Sequence, residues 1–147
     1  MATTVRLSPQ VEQMLTEIYG KKTPGAERAA ECFPYVRRHT LFELKGYFTP
    51  KELKGMVDSY NGTLMDTQWM PIKDMVIGHL EDADKFEHIS TKWGFNLDQL
   101  REKIKKLTSA HVFFLQEEIN RFWNYDNAYA SDDNSGPDLE KFVNEFQ

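Results

Sequence analysis

The strongest constraint on the fold of this chain is a short alternation at its start. Polar and apolar residues alternate over residues 3–8, in the order Thr-Thr-Val-Arg-Leu-Ser. This is the period of a β-strand with one buried face, and it recurs nowhere else in the chain as clearly. The backbone N–H and C=O groups along a strand edge need partners. We therefore expect this strand to pair outside its own chain, and the simplest partner is the same strand of a second copy.

Two helices are predicted to follow the strand. Ser8 and Pro9 are typical of an N-cap and a first helical position, and Gly20 is typical of a helix end. Thr23 and Pro24 repeat the cap-and-proline pattern, so we expect a second helix to begin there. A proline inside a helix removes one backbone hydrogen bond, and we therefore expect a kink or a break at Pro34.

The rest of the chain is predicted to be helical. Residues 40–124 read as a helical domain, with a short helix from Leu41 to Tyr47 and a longer one from Pro71 to about His88. Within it, Thr49-Pro50 predicts one helix start and Asn96 predicts another. Residues 125–137 are rich in Asp, Asn, Ser and Gly, which is typical of a flexible linker. Residues 138–147 form an amphipathic helix that docks on its own bundle or on a partner chain. The predicted fold class is therefore mostly α, with residues 1–39 as a separate N-terminal unit.

Composition and charge narrow the class of protein. The length of 147 residues suits one domain, and the 40% hydrophobic content excludes a disordered chain. Residues 1–40 carry six lysines and arginines against four glutamates, a net charge of +2, while the remainder carries −7. Cys32 is the single cysteine, so no internal disulfide forms, and we expect its side chain to be buried. No apolar run approaches the ~20 residues of a membrane span, so we expect a cytoplasmic protein with no membrane partner.

Residues 3 to about 38 resemble the ribbon-helix-helix family of bacterial and phage DNA-binding proteins. The resemblance lies in the order of a strand, a helix of about three turns, a Gly-Lys-Lys-Thr turn and a second helix. In that family, strands from two subunits pair antiparallel and enter the major groove, where their outward side chains contact the bases. A major groove accommodates such a ribbon, and a helix N-terminus favours a phosphate.

The resemblance implies a role for individual residues of this chain. Thr4 and Arg6 would face outward and contact bases, since arginine can donate two hydrogen bonds to guanine. The residues implied to contact the DNA phosphates are Lys21, Lys22, Thr23, Gly25 and Arg28. The residues implied to form the dimer core are Val5, Leu7, Val11, Leu15, Ile18, Ala29 and Phe33.

The expected function is therefore that of a homodimer that binds double-stranded DNA in a sequence-specific manner. Such a protein would act as a transcriptional repressor or an antitoxin-like regulator, and its helical domain would bind a protein partner or an effector. Two alternatives remain open. The strand can serve only for self-association in an acidic, all-helical interaction module, or it can be a loosely packed arm in which Arg6 is solvated.

The sequence predicts neither a catalytic residue nor a cofactor. No Ser/His/Asp order, nucleophile elbow, phosphate-binding glycine loop or zinc-ligand spacing is present. Three histidines are isolated in the sequence, and we interpret them as packing or surface residues: His39, His79 and His111.

One weak metal candidate lies in the acidic stretch of the predicted helix that ends near His88. Glu81, Asp84 and His88 are spaced i, i+3 and i+7, so they would share one helix face. Carboxylate and imidazole groups together suit transition metals. Because the spacing matches no established ligand motif, the preferred interpretation is a solvated face with no metal.

Overall fold

The computed structural model describes residues 6–60, 72–80, 83–124, 129–130 and 136–147. These residues form eight α-helices and one isolated β-bridge, between Ala130 and Pro137. The predicted fold class, mostly α, is confirmed at this level. Among the described helices, none combines the length and the apolar character needed to cross a lipid bilayer.

The predicted N-terminal strand is not seen in the described part of the chain. Arg6, Leu7 and Ser8 have no regular secondary structure, and residues 1–5, which include Val5 and Thr4, lie outside the described residues. A strand is stable only when its edge is paired with another strand. Pairing with a second copy therefore stays a prediction.

Eight helices are described after residue 8. Their bounds are α1 Pro9–Tyr19, α2 Lys22–Glu43, α3 Pro50–Tyr60, α4 Ile72–Leu80, α5 Ala83–Trp93, α6 Leu97–Lys106, α7 Ser109–Asn124 and α8 Leu139–Glu145. The chain divides into two compact units, unit 1 (Met1–Arg38) and unit 2 (His39–Gln147).

The ends of α1 follow the local sequence signals. The Ser8 side chain accepts a hydrogen bond from the Val11 N–H at 3.3 Å, and Pro9 occupies the first helical position. Gly20 ends the helix in a left-handed conformation with φ of 80°, and its N–H donates to the Thr16 carbonyl at 2.8 Å. Both predicted ends of α1 are confirmed, because each is determined by residues within one turn.

The second helix differs from its prediction in three respects. It begins at Lys22, passes through Pro34 and ends at Glu43, so the expected cap at Thr23, a break at Pro34 and the separate helix from Leu41 to Tyr47 are wrong, while a kink at Pro34 stays a prediction. Thr40 is buried in unit 2, which means that packing favours helical backbone beyond the proline. Packing of this kind outweighs the cost of about 3 kcal/mol that an internal proline imposes.

Cys32 is exposed, so its predicted burial is wrong. In the described part of unit 1, Leu15 and Gly25 are the two residues that are buried. Two helices can cover each other along one stripe only, and side chains outside that stripe stay in contact with solvent.

Unit 2 has a continuous apolar core. Fully buried residues from several of its helices include Leu53, Leu80, Leu100, Ile119 and Phe142. Helix α3 packs against α5, α7 and α8, and α4 packs against α6 and α7. The stretch predicted as one helix from Pro71 to His88 is helical over α4 and over the described start of α5, and residues 81 and 82 between them lie outside the description.

Helix α3 begins with a reciprocal pair of hydrogen bonds. The Thr49 N–H donates to Glu52 Oε1 at 2.9 Å, and the Glu52 N–H donates to Thr49 Oγ1 at 3.2 Å. This is a capping box, and it confirms the predicted start at Thr49-Pro50. Lys103 Nζ also donates to Glu52 Oε1 at 2.6 Å, so α6 is attached to the first turn of α3.

The C-terminal helix packs on its own unit. Phe122, Tyr129, Phe142 and Phe146 form an aromatic cluster whose neighbouring ring centroids are 5.1–5.8 Å apart. The predicted flexible linker over 125–137 contains Tyr129, whose side chain is fully buried in this cluster. This part of the segment is packed, whereas residues 125–128 and 131–135 lie outside the description.

Candidate functional site

The two helices of unit 1 approach each other closely at one glycine. Gly25 lies against Leu15 and Tyr19, and a Cβ atom there would be 3.2 Å from Leu15 Cβ and 3.0 Å from Tyr19 Cδ2. The absence of a side chain therefore permits this packing of α1 on α2. The Gly25 N–H donates to the Lys21 carbonyl at 3.2 Å, so this donor is used within the helix.

Most of the predicted dimer-core side chains in the described part of unit 1 are accessible to solvent. Leu15 is buried, Leu7 and Ala29 are half-buried, and Val5 lies outside the description. The other three have large exposed fractions: Val11 37%, Phe33 49% and Ile18 65%.

Two further apolar side chains of unit 1 are exposed. Met14 is 46% exposed and lies three residues after Val11, in the apolar stripe that helical spacing predicts for α1. Val36 is 50% exposed and lies three residues after Phe33, a spacing that places both on one side of α2 and that sequence reasoning missed. We call the five exposed side chains Val11, Met14, Ile18, Phe33 and Val36 the unit 1 apolar face.

Basic residues lie at the start of α2. Lys21, Lys22 and Thr23 are exposed there, and Lys22 Nζ is 3.4 Å from Glu12 Oε1. Arg28 NH1 is 3.4 Å from Glu31 Oε2, also at the surface. Exposed ion pairs contribute about 0–1 kcal/mol, so these pairs leave both cations able to exchange to a phosphate.

Of the two residues predicted to contact bases, Arg6 has an exposed side chain, and Thr4 lies outside the described residues. The base and phosphate contacts therefore stay predictions.

The weak metal candidate gains no support from the described residues. Glu81 lies outside the description, as does the side chain of Asp84, while His88 is exposed on α5. Among the residues that are described, no group of three or more His, Cys, Asp and Glu side chains could hold a metal ion.

A cluster at the end of α2 was not predicted. Glu43 lies between two imidazoles: His39 Nε2 is 2.8 Å from its Oε1, and His111 Nε2 is 2.5 Å from its Oε2. His111 Nδ1 is in turn 2.6 Å from Thr108 Oγ1. Glu43 and His111 are 68 residues apart in the chain, so no local pattern could have indicated the contact.

The chemistry of this cluster is that of a hydrogen-bonded relay. Hydroxyl, imidazole and carboxylate follow one another, as they do in an activated nucleophile. Thr108 Oγ1, however, also accepts a hydrogen bond from the His111 N–H at 3.3 Å, so the hydroxyl caps the first turn of α7. The hydrogen bond from His111 lowers the pKa of Glu43, which keeps the carboxylate ionised.

A second polar cluster is buried in unit 2. The Tyr129 hydroxyl donates to Glu118 Oε2 at 2.5 Å and lies 3.0 Å from Glu145 Oε2. Arg121 NH1 donates to both oxygens of Glu118, at 3.1 and 3.3 Å. Burial and the hydrogen bond to Glu118 raise the pKa of Tyr129. These contacts anchor the segment around Tyr129 and α8 to α7.

Comparison with known proteins assigns no family to this chain. It matches no protein-family model, no curated protein and no solved structure. The ribbon-helix-helix resemblance therefore depends on the residues of unit 1 named above.

Proposed function

We propose that this chain is a homodimeric, sequence-specific DNA-binding protein that regulates transcription through unit 1. The observation that carries the dimerisation on which the proposal depends is the unit 1 apolar face, whose members are exposed by 37–65%. Three of its members, Val11, Met14 and Ile18, are spaced i, i+3 and i+7 and form one exposed apolar stripe on α1, and such stripes mark interaction sites. Three of the five are residues that the ribbon-helix-helix resemblance assigns to the dimer core.

The size of unit 1 favours a second copy as the occupant of this face. The unit spans Met1–Arg38, and domains below about 40 residues usually need oligomerisation, metals or disulfides to fold. Cys32 is the only cysteine in the chain, so a disulfide within the unit is excluded. Dimerisation would bury the exposed apolar residues of both copies and supply the core that one copy lacks.

The proposed dimer also provides a partner for the N-terminal strand. Pairing over residues 3–8 would join Val5 and Leu7 to the apolar core and direct Thr4 and Arg6 outward, because successive side chains of a strand alternate between its faces. A two-stranded ribbon of this kind fits the major groove, where arginine can donate two hydrogen bonds to guanine.

The start of α2 is suited to a phosphate. The first N–H groups of a helix have no acceptor within the helix, and the helix dipole favours an anion there. Lys21 and Lys22 add two positive charges at the same end, in a segment whose net charge is +2 over residues 1–40. Pro24 contributes no N–H, so the N–H groups of Lys22 and Thr23 are the proposed donors.

Unit 2 would then bind a protein partner or an effector, as in a repressor or an antitoxin-like regulator. The second candidate function is an interaction module that dimerises through unit 1 without binding DNA. The apolar face favours both candidates equally, because it bears on self-association alone. The basic residues at the start of α2 favour the DNA-binding candidate.

Two measurements separate these candidates. Sedimentation of the full chain at micromolar concentration should show a dimer, and Ile18→Glu should shift it to a monomer. Thr16→Glu, which adds the same charge at an exposed position on the opposite side of α1, should remain dimeric. A wild-type monomer, or an Ile18→Glu dimer, contradicts the proposed dimer.

DNA binding is tested by gel shift on the protein's own upstream DNA at several salt concentrations. Affinity should fall steeply as salt rises, since each phosphate contact releases counterions. Arg6→Ala should relax the preference at one base step and weaken binding by about 1–3 kcal/mol. A wild-type dimer that binds no duplex at low salt would favour the interaction module and contradict the DNA-binding proposal.

A further inference from the structure

A small cavity lies in the core of unit 2, between α3, α4, α6 and α7. Its volume is about 10 Å³, which is room for about one water-sized group. Six buried apolar side chains line it: Met56, Val76, Ile104, Val112, Leu115 and Ile119. The other described residue in its wall is Gln116, which brings an amide group to an otherwise apolar lining.

Gln116 interrupts the apolar stripe of α7. It lies four residues after Val112 and three before Ile119, so the three side chains share the helix face that meets the core. Gln116 is 5% exposed, and its Oε1 is buried and accepts no hydrogen bond from any group in the described part of the chain. A buried acceptor without a donor is destabilising, and it marks a place where a ligand can supply the missing hydrogen bond.

We propose that this cavity is a binding site for a short-chain alcohol, a small uncharged molecule with one hydroxyl and an apolar remainder. The hydroxyl donates to Gln116 Oε1, and the carbon chain contacts the methyl groups of the lining. The inference concerns unit 2 alone and does not depend on DNA binding by unit 1.

The lining disfavours the other small occupants. A buried water makes about three hydrogen bonds, whereas the described side chains around this cavity offer one unpaired acceptor. A charged ligand would lose its hydration without gaining a charged partner, because the described lining residues carry no charge. A purely apolar molecule would leave Gln116 Oε1 without a donor. One hydroxyl and an apolar body match the site.

The volume limits the occupant to a few atoms. A water-sized group enters the cavity as it stands, and a larger one needs space from the lining. Met56 is suited to give that space, because methionine is unbranched and adapts its conformation to its neighbours. Ethanol is therefore the probe for this site. Acetonitrile, which is of similar size but has no hydroxyl, is the matched control ligand.

Methyl NMR spectroscopy of the full chain measures binding at this site, because each apolar lining residue carries a methyl group. Ethanol should shift the methyl signals of Ile104, Val112 and Leu115 along a saturable curve, and Val143, a buried residue outside the lining, should not follow it. Acetonitrile should bind about fivefold more weakly, as expected for the loss of one hydrogen bond. Equal affinity for the two molecules, or no saturable shift with ethanol, overturns the proposal.

Substitution of Gln116 tests its role as the acceptor. Gln116→Met removes the amide at similar size, so it should weaken ethanol binding about fivefold and leave the weaker binding of acetonitrile unchanged. Gln99→Met makes the same substitution at an exposed position of α6 and should change neither affinity. A folded Gln116→Met variant that binds ethanol as tightly as the wild type overturns the proposal. If that variant does not fold, the comparison of ethanol with acetonitrile on the wild-type chain decides.

Discussion

Removal of the Tyr129 hydroxyl should destabilise unit 2 far more than the loss of one oxygen atom suggests. The ring of Tyr129 is fully buried, and Phe at this position would keep the aromatic contacts with Phe122 and Phe142. The hydroxyl, however, donates to Glu118 Oε2 at 2.5 Å, and the Glu118 side chain is only 2% exposed. Tyr129→Phe therefore takes one donor from a buried carboxylate.

The expected cost follows from what remains around that carboxylate. A hydrogen bond to a charged group contributes about 1.5–3 kcal/mol, and an unsatisfied buried acceptor costs a similar amount. Arg121 still donates to Glu118 Oε2 at 3.3 Å, so the acceptor keeps a second partner. We therefore expect Tyr129→Phe to lower the free energy of unfolding by about 2 kcal/mol.

The assay is urea unfolding of the full chain at pH 7, followed by circular dichroism and tryptophan fluorescence. Tyr35→Phe is the matched control, because Tyr35 is 70% exposed and its loss should change stability by less than about 0.5 kcal/mol. If the free energy of unfolding of Tyr129→Phe lies within about 0.5 kcal/mol of the wild-type value, the hydrogen bond does not stabilise unit 2 and the assignment is refuted. Glu118→Gln on both backgrounds then gives the coupling between the two side chains.

The pH dependence of the same variant provides an independent check. Burial and the Glu118 hydrogen bond raise the pKa of Tyr129 above its ordinary value of 10.0. Above a pH of about 10 the unfolded chain releases this proton while the folded chain keeps it, so wild-type stability should fall with increasing pH. In Tyr129→Phe, stability should fall less steeply above about pH 10, because the residue at 129 no longer ionises in the unfolded chain. An identical fall in both proteins would contradict the raised pKa of Tyr129.

Two further pairs of substitutions test packing and charge. A Cβ at Gly55 would overlap the ring of Phe95, so Gly55→Ala should lower the free energy of unfolding by about 1–3 kcal/mol in urea denaturation. Gly78→Ala, in a helix and with open space around it, should instead raise it by about 0.5–1 kcal/mol. Glu12→Gln removes the ion-pair partner of Lys22, which leaves this lysine available to a phosphate, and should tighten duplex binding about two- to fivefold in gel shift. Glu17→Gln changes the net charge equally without that pairing, and an equal gain there would exclude a specific effect of Glu12.

Local signals in the sequence determined the helix ends that were predicted correctly. Ser8, Gly20 and Asn96 act on backbone groups within one turn, and the Asn96 side chain accepts from the Gln99 N–H at 3.0 Å as its position indicates. The break that is one reading of Pro34 does not occur, because propensity weighs a proline alone, whereas α2 continues into residues such as Thr40 that are buried in unit 2. Propensity is a weak guide wherever tertiary packing acts on the same segment.

At the candidate sites, too, the sequence predicts local spacing but not tertiary contacts. The apolar positions of unit 1 follow from helical spacing, because Val11 and Phe33 belong to stripes that run along α1 and α2. The contact of Glu43 with His111 depends on how α7 packs near the end of α2, and the sequence between them contains no indication of it. A spacing rule predicts which residues share a face, but it does not predict what that face meets.

The contrast between the two units has a consequence for how the proposed regulator responds to its own concentration. Unit 2 forms a continuous apolar core within one chain, while unit 1 leaves its apolar face exposed. If a second copy covers that face, folding of unit 1 and dimerisation are one linked equilibrium, and dilution lowers the stability of unit 1 but leaves unit 2 unaffected. DNA that binds only the dimer would draw this equilibrium towards the folded form. Apparent affinity for DNA would therefore decline once the protein is diluted below the dimer dissociation constant, whereas a preformed monomeric binder would show no such decline.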